Sequence, residues 1–430
     1  MVAPEGYKQT AIGIIPEDWE IVTLQTLFDI TSSKRVFQSE WRSSGVPFYR
    51  ARELAVLSET GRVENELFIS HEMYEKYSVQ YGNISPGDIL ITGVGTLGKV
   101  YVVKKGDIFY FKDGNIIWLR SKHKVNSNYI RQLYFTPALI SQVFGSSAGT
   151  TVGTYTITNA EETIVPLPPR PEQHAIAEVL SDMDGYIASL EKLIAKKKAI
   201  KQGAMQELLT GKRRLPGFEG EWEKQTLSDI SKNIVMGQSP SSKYYNLEGK
   251  GLPLIQGNAD IDNRKTIIRA YTSQITKEAM KGDIILTVRA PVGNVAKATF
   301  NCCLGRGVCS ISSTNDYLYH WLIYYEPKWD SLSSGSTFDS INGDELRKIT
   351  FNFPSDEQEQ PAIAAILSDM DAEIESLIAK LNKAKLIKQG MMQELLTGRI
   401  RLVSTYPIQN EFGIPEYMVI LAIITKLFTD

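Results

Sequence analysis

A long amphipathic segment occurs twice in this chain, and no other feature limits its possible folds so tightly. Residues 172–215 match residues 359–402 without a gap at a constant offset of 187 (359 − 172), and about two-thirds of the aligned positions are identical. Leu180-Ser181-Asp182-Met183-Asp184 recurs as Leu367-Ser368-Asp369-Met370-Asp371. Both copies carry helix signals. Pro168-Pro169-Arg170-Pro171-Glu172 opens the first and Pro354-Ser355-Asp356-Glu357 the second, where proline and acidic residues suit a first turn. Thr210-Gly211 and Thr397-Gly398 close them, with glycine suited to a left-handed cap. Such a segment predicts roughly 58 Å of helix.

The apolar stripe of the first copy runs Ile176, Leu180, Met183, Ile187, Leu190, Ile194 and then Ile200. That of the second runs Ile363, Leu367, Met370, Ile374, Leu377, Leu381 and then Ile387. Spacings of three and four give one sticky face per helix, and two such faces most simply bury against each other. The plainer alternative packs each helix on its own globular segment. Lys196, Lys197, Lys198 and Lys201 fall on the other face, where a solvated surface is the ordinary reading.

The segments before the helices are also related, more weakly. Trp19-Glu20 matches Trp222-Glu223, Gly87-Asp88-Ile89-Leu90 matches Gly282-Asp283-Ile284-Ile285, and Gly98-Lys99-Val100 matches Gly293-Asn294-Val295. Both read as short strands broken by Gly, Pro, Asn and Ser, followed by an aromatic-rich helix near Tyr129 and near Tyr317. The expected organisation is a globular head (1–168), a helix (169–213), a second head (214–354), a second helix (355–402) and a tail (403–430). The fold class is α+β, with two mixed heads alternating with two long helices whose apolar faces bury against each other in a pseudo-two-fold frame. Heads that diverge on a common frame suggest that the heads discriminate and the frame holds.

With 430 residues and 43% hydrophobic composition the chain can bury two or three cores. A net charge of −2 argues mildly against a lone DNA binder, although local basic faces or a basic partner can supply the field. Three cysteines imply no disulfide framework and fit a reducing cytosol. Pro4, Glu5 and Lys8 interrupt any leader-like apolar run, and the apolar stretch at 418–424 is too short to cross a bilayer. A cytoplasmic protein is expected.

Catalytic signatures are missing. Gly93-Val94-Gly95-Thr96-Leu97-Gly98 fits the dinucleotide string but runs into a strand-like Lys99-Val100-Tyr101, where that motif needs a helix N-terminus. A tight strand–turn–strand displaying Lys99 is the better reading. Cys302, Cys303 and Cys309 match no zinc spacing and read as buried residues of a strand pair. There is no P-loop, no HExxH, no nucleophile elbow and no Asn/Asp-Pro-Pro-aromatic methyltransferase motif.

What remains are loops that mix basic and amide residues. Candidates for DNA contact in the first head are Lys34, Arg35, Arg50, Arg52, Lys99 and Lys112. In the second they are Ser239, Ser241, Gln256, Asn258, Arg289 and Arg306. Arg and Lys suit guanine edges and phosphates; Gln and Asn can read adenine.

Taken together, these motifs resemble the specificity subunit of type I restriction–modification systems. In the second head the resemblance rests on Gly237-Gln238-Ser239-Pro240, Leu252-Pro253-Leu254-Ile255-Gln256-Gly257-Asn258, Lys281-Gly282-Asp283 through Thr287-Val288-Arg289, and Gly335-Ser336-Thr337-Phe338. In the first it rests on Gly45-Val46-Pro47-Phe48-Tyr49-Arg50-Ala51-Arg52-Glu53, Pro86-Gly87-Asp88, Phe111-Lys112-Asp113-Gly114-Asn115 and Leu167-Pro168-Pro169-Arg170-Pro171-Glu172-Gln173. The resemblance covers about residues 6–402 and implies that each head is a target-recognition domain reading one half of a bipartite site in double-stranded DNA. It implies that the two helices pair as an antiparallel coiled coil, measure the unread spacer and dock two methylation subunits, which carry S-adenosylmethionine. Two restriction subunits using ATP and Mg can join. No cofactor or metal is expected on this chain, and no catalysis. The family's second helix normally ends near the chain end, so the tail from Val403 to Asp430 is a departure. Gly413-Ile414-Pro415-Glu416 within it faintly echoes Gly13-Ile14-Ile15-Pro16-Glu17. A second reading is a protein-assembly scaffold with a dimeric helical frame and protein-binding heads.

Overall fold

The computed structural model describes residues 3–64, 67–145, 153–332 and 340–402; the tail and the Gly335-Ser336-Thr337-Phe338 motif lie outside them. Its two long helices are Arg170–Leu208 and Glu359–Leu395. The chain compacts into two units, one of residues 1–189 and 381–430 and the other of residues 190–380. These units cut across the linear order of heads and helices. Each holds one head, the half-helix that follows it, and the complementary half of the other helix.

Within each unit the half-helices run antiparallel. In the first, Glu172 is bonded by Arg401 and Asp184 pairs with Lys388 at 2.6 Å, so one residue number rises as the other falls. In the second, Lys197 pairs with Glu373, Lys201 with Asp371 and Arg214 with Glu359. The repeat offset carries Asp184 onto Asp371 (184 + 187) and Lys201 onto Lys388 (201 + 187), so one bridge is made twice.

Most of the expected stripe is buried: Ile176, Leu180, Met183, Leu190, Ile194, Ile363, Leu367, Ile374 and Leu377. Ile187, Met370 and Leu381 are half-buried. Ile200 departs from the pattern: it is 47% exposed, whereas its repeat partner Ile387 is buried. The stripe also packs on more than the partner helix. Ile363, Ala364 and Leu367 join one cluster with Met205, Leu208 and Leu209 of the first helix and with Tyr317, Trp321 and Phe353 of the second head. The early turns of the second helix therefore serve the helix pair and the head core at once.

A buried carboxylate fixes the start of each helix. Glu172 and Glu359 are both fully buried in first turns, where the helix dipole favours negative charge. Burial of a charge demands partners. Glu172 accepts from Trp19 Nε1 at 3.1 Å and from Arg401 Nε and Nη2 at 2.7 and 2.8 Å. Glu359 accepts from Trp222 Nε1 at 3.3 Å and from Arg214 Nε and Nη2 at 2.6 and 2.7 Å. The same lock thus closes both units. Arg401 also grips Asp18 through Nη1 and Nη2 at 2.9 and 2.8 Å, tying the end of the second helix to the start of the chain. Gly398, at φ +69°, closes that helix so tightly that a Cβ there would lie 2.4 Å from Pro16.

Each head is built on a sheet with four antiparallel strands. In the first, the order is Phe28–Thr31, Ile116–Ser121, Ile89–Thr92, Val100–Val102. In the second, Asn233–Met236, Val308–Ser312, Ile284–Thr287 and Val295–Lys297 repeat that order, and two short strands extend it. Ile89-Leu90-Ile91-Thr92 and Ile284-Ile285-Leu286-Thr287 are buried throughout, as central strands covered on both faces must be. The Gly-Asp dipeptide before each strand has a defined task. Gly87 and Gly282 take φ of +94° and +97°, and the following carboxylate ties the sheet together. Asp88 accepts from Trp118 Nε1 and from Ser121 N, both at 2.8 Å. Asp283 accepts from the Ser310 and Ser312 hydroxyls, both at 2.8 Å. The 93–98 segment is the expected turn between antiparallel strands. A final strand pair, Glu20–Thr23 with Ile164–Leu167 or Trp222–Thr226 with Thr350–Pro354, delivers each head to its helix.

The aromatic-rich helices, Ser127–Leu133 and Tyr317–Tyr325, dock each head on its twice-made bridge. Gln132 Nε2 donates to Asp184 Oδ2 at 3.0 Å, and Arg131 reaches the same oxygen at 3.2 Å. At the corresponding place His320 Nε2 bonds the Ser368 hydroxyl at 2.9 Å, with Nδ1 3.8 Å from Asp371. Burial and the nearby Lys201 push His320 down to about 4, so the ring is neutral.

Candidate nucleic-acid interface

In the second head four separated segments converge. They are the loop at 237–242, the residues after strand Leu252–Ile255, the turn after Ile284–Thr287, and the loop at 305–307. Glycine permits the approach. A Cβ on Gly237 would lie 2.0 Å from the Gly305 carbonyl oxygen, and one on Gly307 would lie 2.1 Å from that of Gln256. Backbone bonds hold the segments: Gly305 N donates to Ile255 O at 2.8 Å and Gln238 N to Leu304 O at 2.9 Å. The Ser239 hydroxyl accepts from Arg306 N at 3.1 Å and pins that loop.

The result is an open cleft of about 430 Å³. Five of the six sequence candidates line it: Ser239, Gln256, Asn258, Arg289 and Arg306. Ser241 does not, although its neighbour Ser242 does. Arg289 and Arg306 are exposed, and neither has a carboxylate partner among the described residues. Two guanidinium groups, two amides and hydroxyls, including that of Tyr245, therefore share one concave surface. Such a set suits phosphate oxygens and base edges. Tyr245 and Ser242 carried no signal in the repeats.

The first head places its candidates differently. Strand Val46–Tyr49 pairs in parallel with Tyr110–Phe111, as Leu252–Ile255 pairs with Cys302–Leu304, so Arg50 occupies the place of Gln256. Arg50 leads into helix Ala51–Thr60, and its guanidinium faces Glu53, Nε to Oε2 at 2.9 Å and Nη2 to Oε1 at 2.7 Å. Burial opposes the Glu53 charge, but the bonds from Arg50 prevail and hold its carboxyl below the ordinary range. Arg35 pairs with Asp113 at 2.9 Å. Lys99 is tied to Glu59, which corrects the expectation of a freely displayed lysine. Lys34 lies 5.6 Å from the Tyr81 ring centroid. Lys112 is half-buried, and its backbone N–H donates to Tyr49 O at 2.8 Å. Arg52 is exposed and has no ion partner among the described residues.

Cys302, Cys303 and Cys309 are buried on strands Cys302–Leu304 and Val308–Ser312, and burial pushes the Cys302 and Cys309 thiols up to about 12. Among the described residues no group of three or more His, Cys, Asp or Glu side chains is placed to hold a metal. No described helix is long and apolar enough to cross a membrane.

Comparison with known proteins agrees with this architecture. The model of the type I restriction modification DNA specificity domain matches twice, at residues 16–202 and 219–386. A putative type I restriction enzyme specificity subunit, MjaX, of Methanocaldococcus jannaschii is 31% identical over 423 residues, covering 93% of this chain and 97% of that protein. The EcoBI specificity subunit of Escherichia coli is 21% identical over 425 residues, covering 90% of this chain and 86% of that protein. Among solved structures, the S subunit of a type I system from M. genitalium aligns with a TM-score of 0.61 at 17% identity, over 88% of this chain and 96% of that one. A chain from a type I restriction–modification assembly aligns with a TM-score of 0.56 at 23% identity, over 90% of this chain and 99% of that one. The repeated head, the repeated helix and the doubled family match lead to one conclusion: this chain belongs to the type I restriction–modification DNA specificity family, as a non-catalytic subunit that recognises DNA sequence.

Proposed function

We propose that each head reads one half of a split site in double-stranded DNA, and that the paired helices set the spacer and dock two methylation subunits. The observation that carries this reading is the cleft of the second head, where Arg289 and Arg306, with no carboxylate partner among the described residues, stand beside Gln256 and Asn258. In the first head Arg50, Arg52, Lys34, Arg35, Lys99 and Lys112 take the corresponding part. S-adenosylmethionine belongs to the methylation subunits, and ATP and Mg to two restriction subunits where these join. The working compartment is the cytoplasm, with DNA.

The test is an adenine-methylation map. The chain is co-expressed with its methylation subunit in a methylase-free bacterium, with each alone as controls. A split motif with a fixed spacer, present only on co-expression, is expected. Substituting Gln256 or Arg289 should alter one half of that motif, and substituting Arg50 or Arg52 the other. Equal weakening of all sequences by variants in both heads would overturn the base-reading assignment. A stable complex with no DNA preference would favour an assembly scaffold.

A further inference from the structure

Asn258 lines the cleft, and the polarity of its amide is set from behind by a chain of hydrogen bonds. The chain starts at Arg264, which stands at φ +64° and faces Glu326 through both Nη atoms, with Nη2 2.7 Å from Oε2. Arg264 Nη1 also donates to Val295 O at 3.2 Å, while Glu326 Oε1 accepts from Val295 N at 2.8 Å. Arginine has donors and no acceptor. The Asn294 atom that faces Arg264 Nη1, at 3.3 Å, must therefore be Oδ1. That choice turns Asn294 Nδ2 toward Asn258, where it donates to Oδ1. The backbone N–H of Asn294 is bonded to the Thr287 hydroxyl at 2.9 Å, which holds its main chain at this turn. Asn258 is left with Nδ2 for the cleft, and no acceptor for that group occurs among the described residues.

We propose that Asn258 is a specificity-determining hydrogen-bond donor, and that Arg264 and Asn294 are positioning residues that fix its polarity. The proposal rests on the reading of this cleft as a DNA interface. A donor at a base edge donates to guanine O6 or N7, thymine O4 or adenine N7, and finds no acceptor on the amino group of cytosine. A two-bond grip on adenine needs both the oxygen and the amino group of the amide. Asn258 has already given its oxygen to Asn294, whereas the Gln256 side chain has no hydrogen-bond partner among the described residues and keeps both ends. The two amides, alike in sequence, therefore read different things.

The chain of bonds gives a test whose first variant, at Asn294, lies outside the lining of the cleft. In Asn294→Asp one carboxylate oxygen still faces Arg264, and the other can only accept. Asn258 must then turn its amide over and show Oδ1 to the cleft. Asn258→Asp shows an oxygen there directly. Both variants are assembled with the methylation subunit, and duplexes with randomised half-sites are selected for binding, alongside the methylation map. The expected result is a change of about tenfold or more in base-pair preference at one position of one half-site. It should fall at the same position and favour the same new base pair in both variants, with the other half-site and the spacer unchanged. A uniform loss over all sequences in Asn294→Asp would reduce Asn294 to a structural part and overturn the proposal. An unchanged preference in Asn258→Asp, with Gln256→Ala still altering that half-site, would overturn it while leaving the cleft as the interface. A wild-type complex with no sequence preference would overturn both.

Discussion

The two heads share a sheet order and a parallel strand that delivers a polar residue to its end, yet they differ in how most of their candidate DNA-contacting cations are held. In the first, Arg35, Arg50 and Lys99 each face a carboxylate, Asp113, Glu53 and Glu59. In the second, Arg289 and Arg306 face an open cleft. A paired arginine is oriented in advance and brings little net charge; an unpaired one brings its full field and is oriented only by what it meets. On the proposed reading of both heads as DNA interfaces, the second would draw in a phosphate chain and the first would fit one already placed. The frame beneath them makes no such distinction, since the buried glutamate lock is the same in both units.

The largest effect should come from that lock. Glu172→Ala and Glu359→Ala each remove a fully buried carboxylate and leave a half-buried arginine and a tryptophan without their acceptor, at about 1–3 kcal/mol. Chemical denaturation should show a larger loss for Glu359→Ala, because Arg401 retains Asp18 when Glu172 is gone. Equal losses would remove that distinction between the units. Next comes the contrast between the heads. Arg289→Ala with Arg306→Ala should weaken DNA binding by about a hundredfold, and the salt slope should fall by about 1 for each side chain that contacts phosphate. Lys99→Ala, whose charge Glu59 already meets, should change affinity by less than about threefold. Titrations at several salt concentrations decide this, and similar losses from both heads would break the comparison. A smaller gain is expected from Glu53→Gln. Releasing Arg50 from its carboxylate should raise affinity for all sequences by a few-fold while blurring the half-site read by the first head.

The smallest effect separates Gln132 from His320. His320 is depressed to about 4 in the fold, by burial first and then by Lys201 and Lys297, against Asp371 and Asp316. The unfolded chain binds a proton near pH 6.5 that the folded chain refuses, so stability is complete above that pH and is lost as pH falls toward 4. About 1 kcal/mol should be missing at pH 5.5. His320→Gln, which installs the residue found in the first unit, should abolish that share of the pH dependence. Denaturation midpoints at pH 7.5 and 5.5 would show it, and an equal slope in the variant would exclude His320 as the source.

Much of the fold was legible because the chain states it twice. The stripe of threes and fours, the proline entry and the Thr-Gly exit located both helices, and Gly-Asp before an apolar run located both central strands. Ile200 was misjudged because periodicity reports a face and not what covers it; its copy Ile387 is buried in the same pattern. The candidate residues of the second head were found by residue type. Their union in one cleft depends on Gly237, Gly305 and Gly307 letting backbones meet, which no local pattern announces. The carboxylates that occupy Arg35 and Lys99 are distant in sequence, so Lys99 read as displayed. Arg264 and Glu326 were missed for the same reason. The lock had a visible signal that went unused: Glu172 and Glu359, and Arg214 and Arg401, recur at the repeat offset of 187 (359 − 172; 401 − 214), and Trp19 recurs as Trp222.

That lock also carries a consequence for synthesis. In the second unit its parts, Arg214, Trp222 and Glu359, are all present before the last helix is complete. In the first, Trp19 and Glu172 emerge early, but Arg401 follows more than two hundred residues after Glu172. A polypeptide that stops within the second helix therefore holds Trp19 and Glu172 with no Arg401 to meet them. Such a fragment is marked as unfinished by one unmatched charge, and the ribosome must read almost to Leu402 before the beginning of the protein can settle.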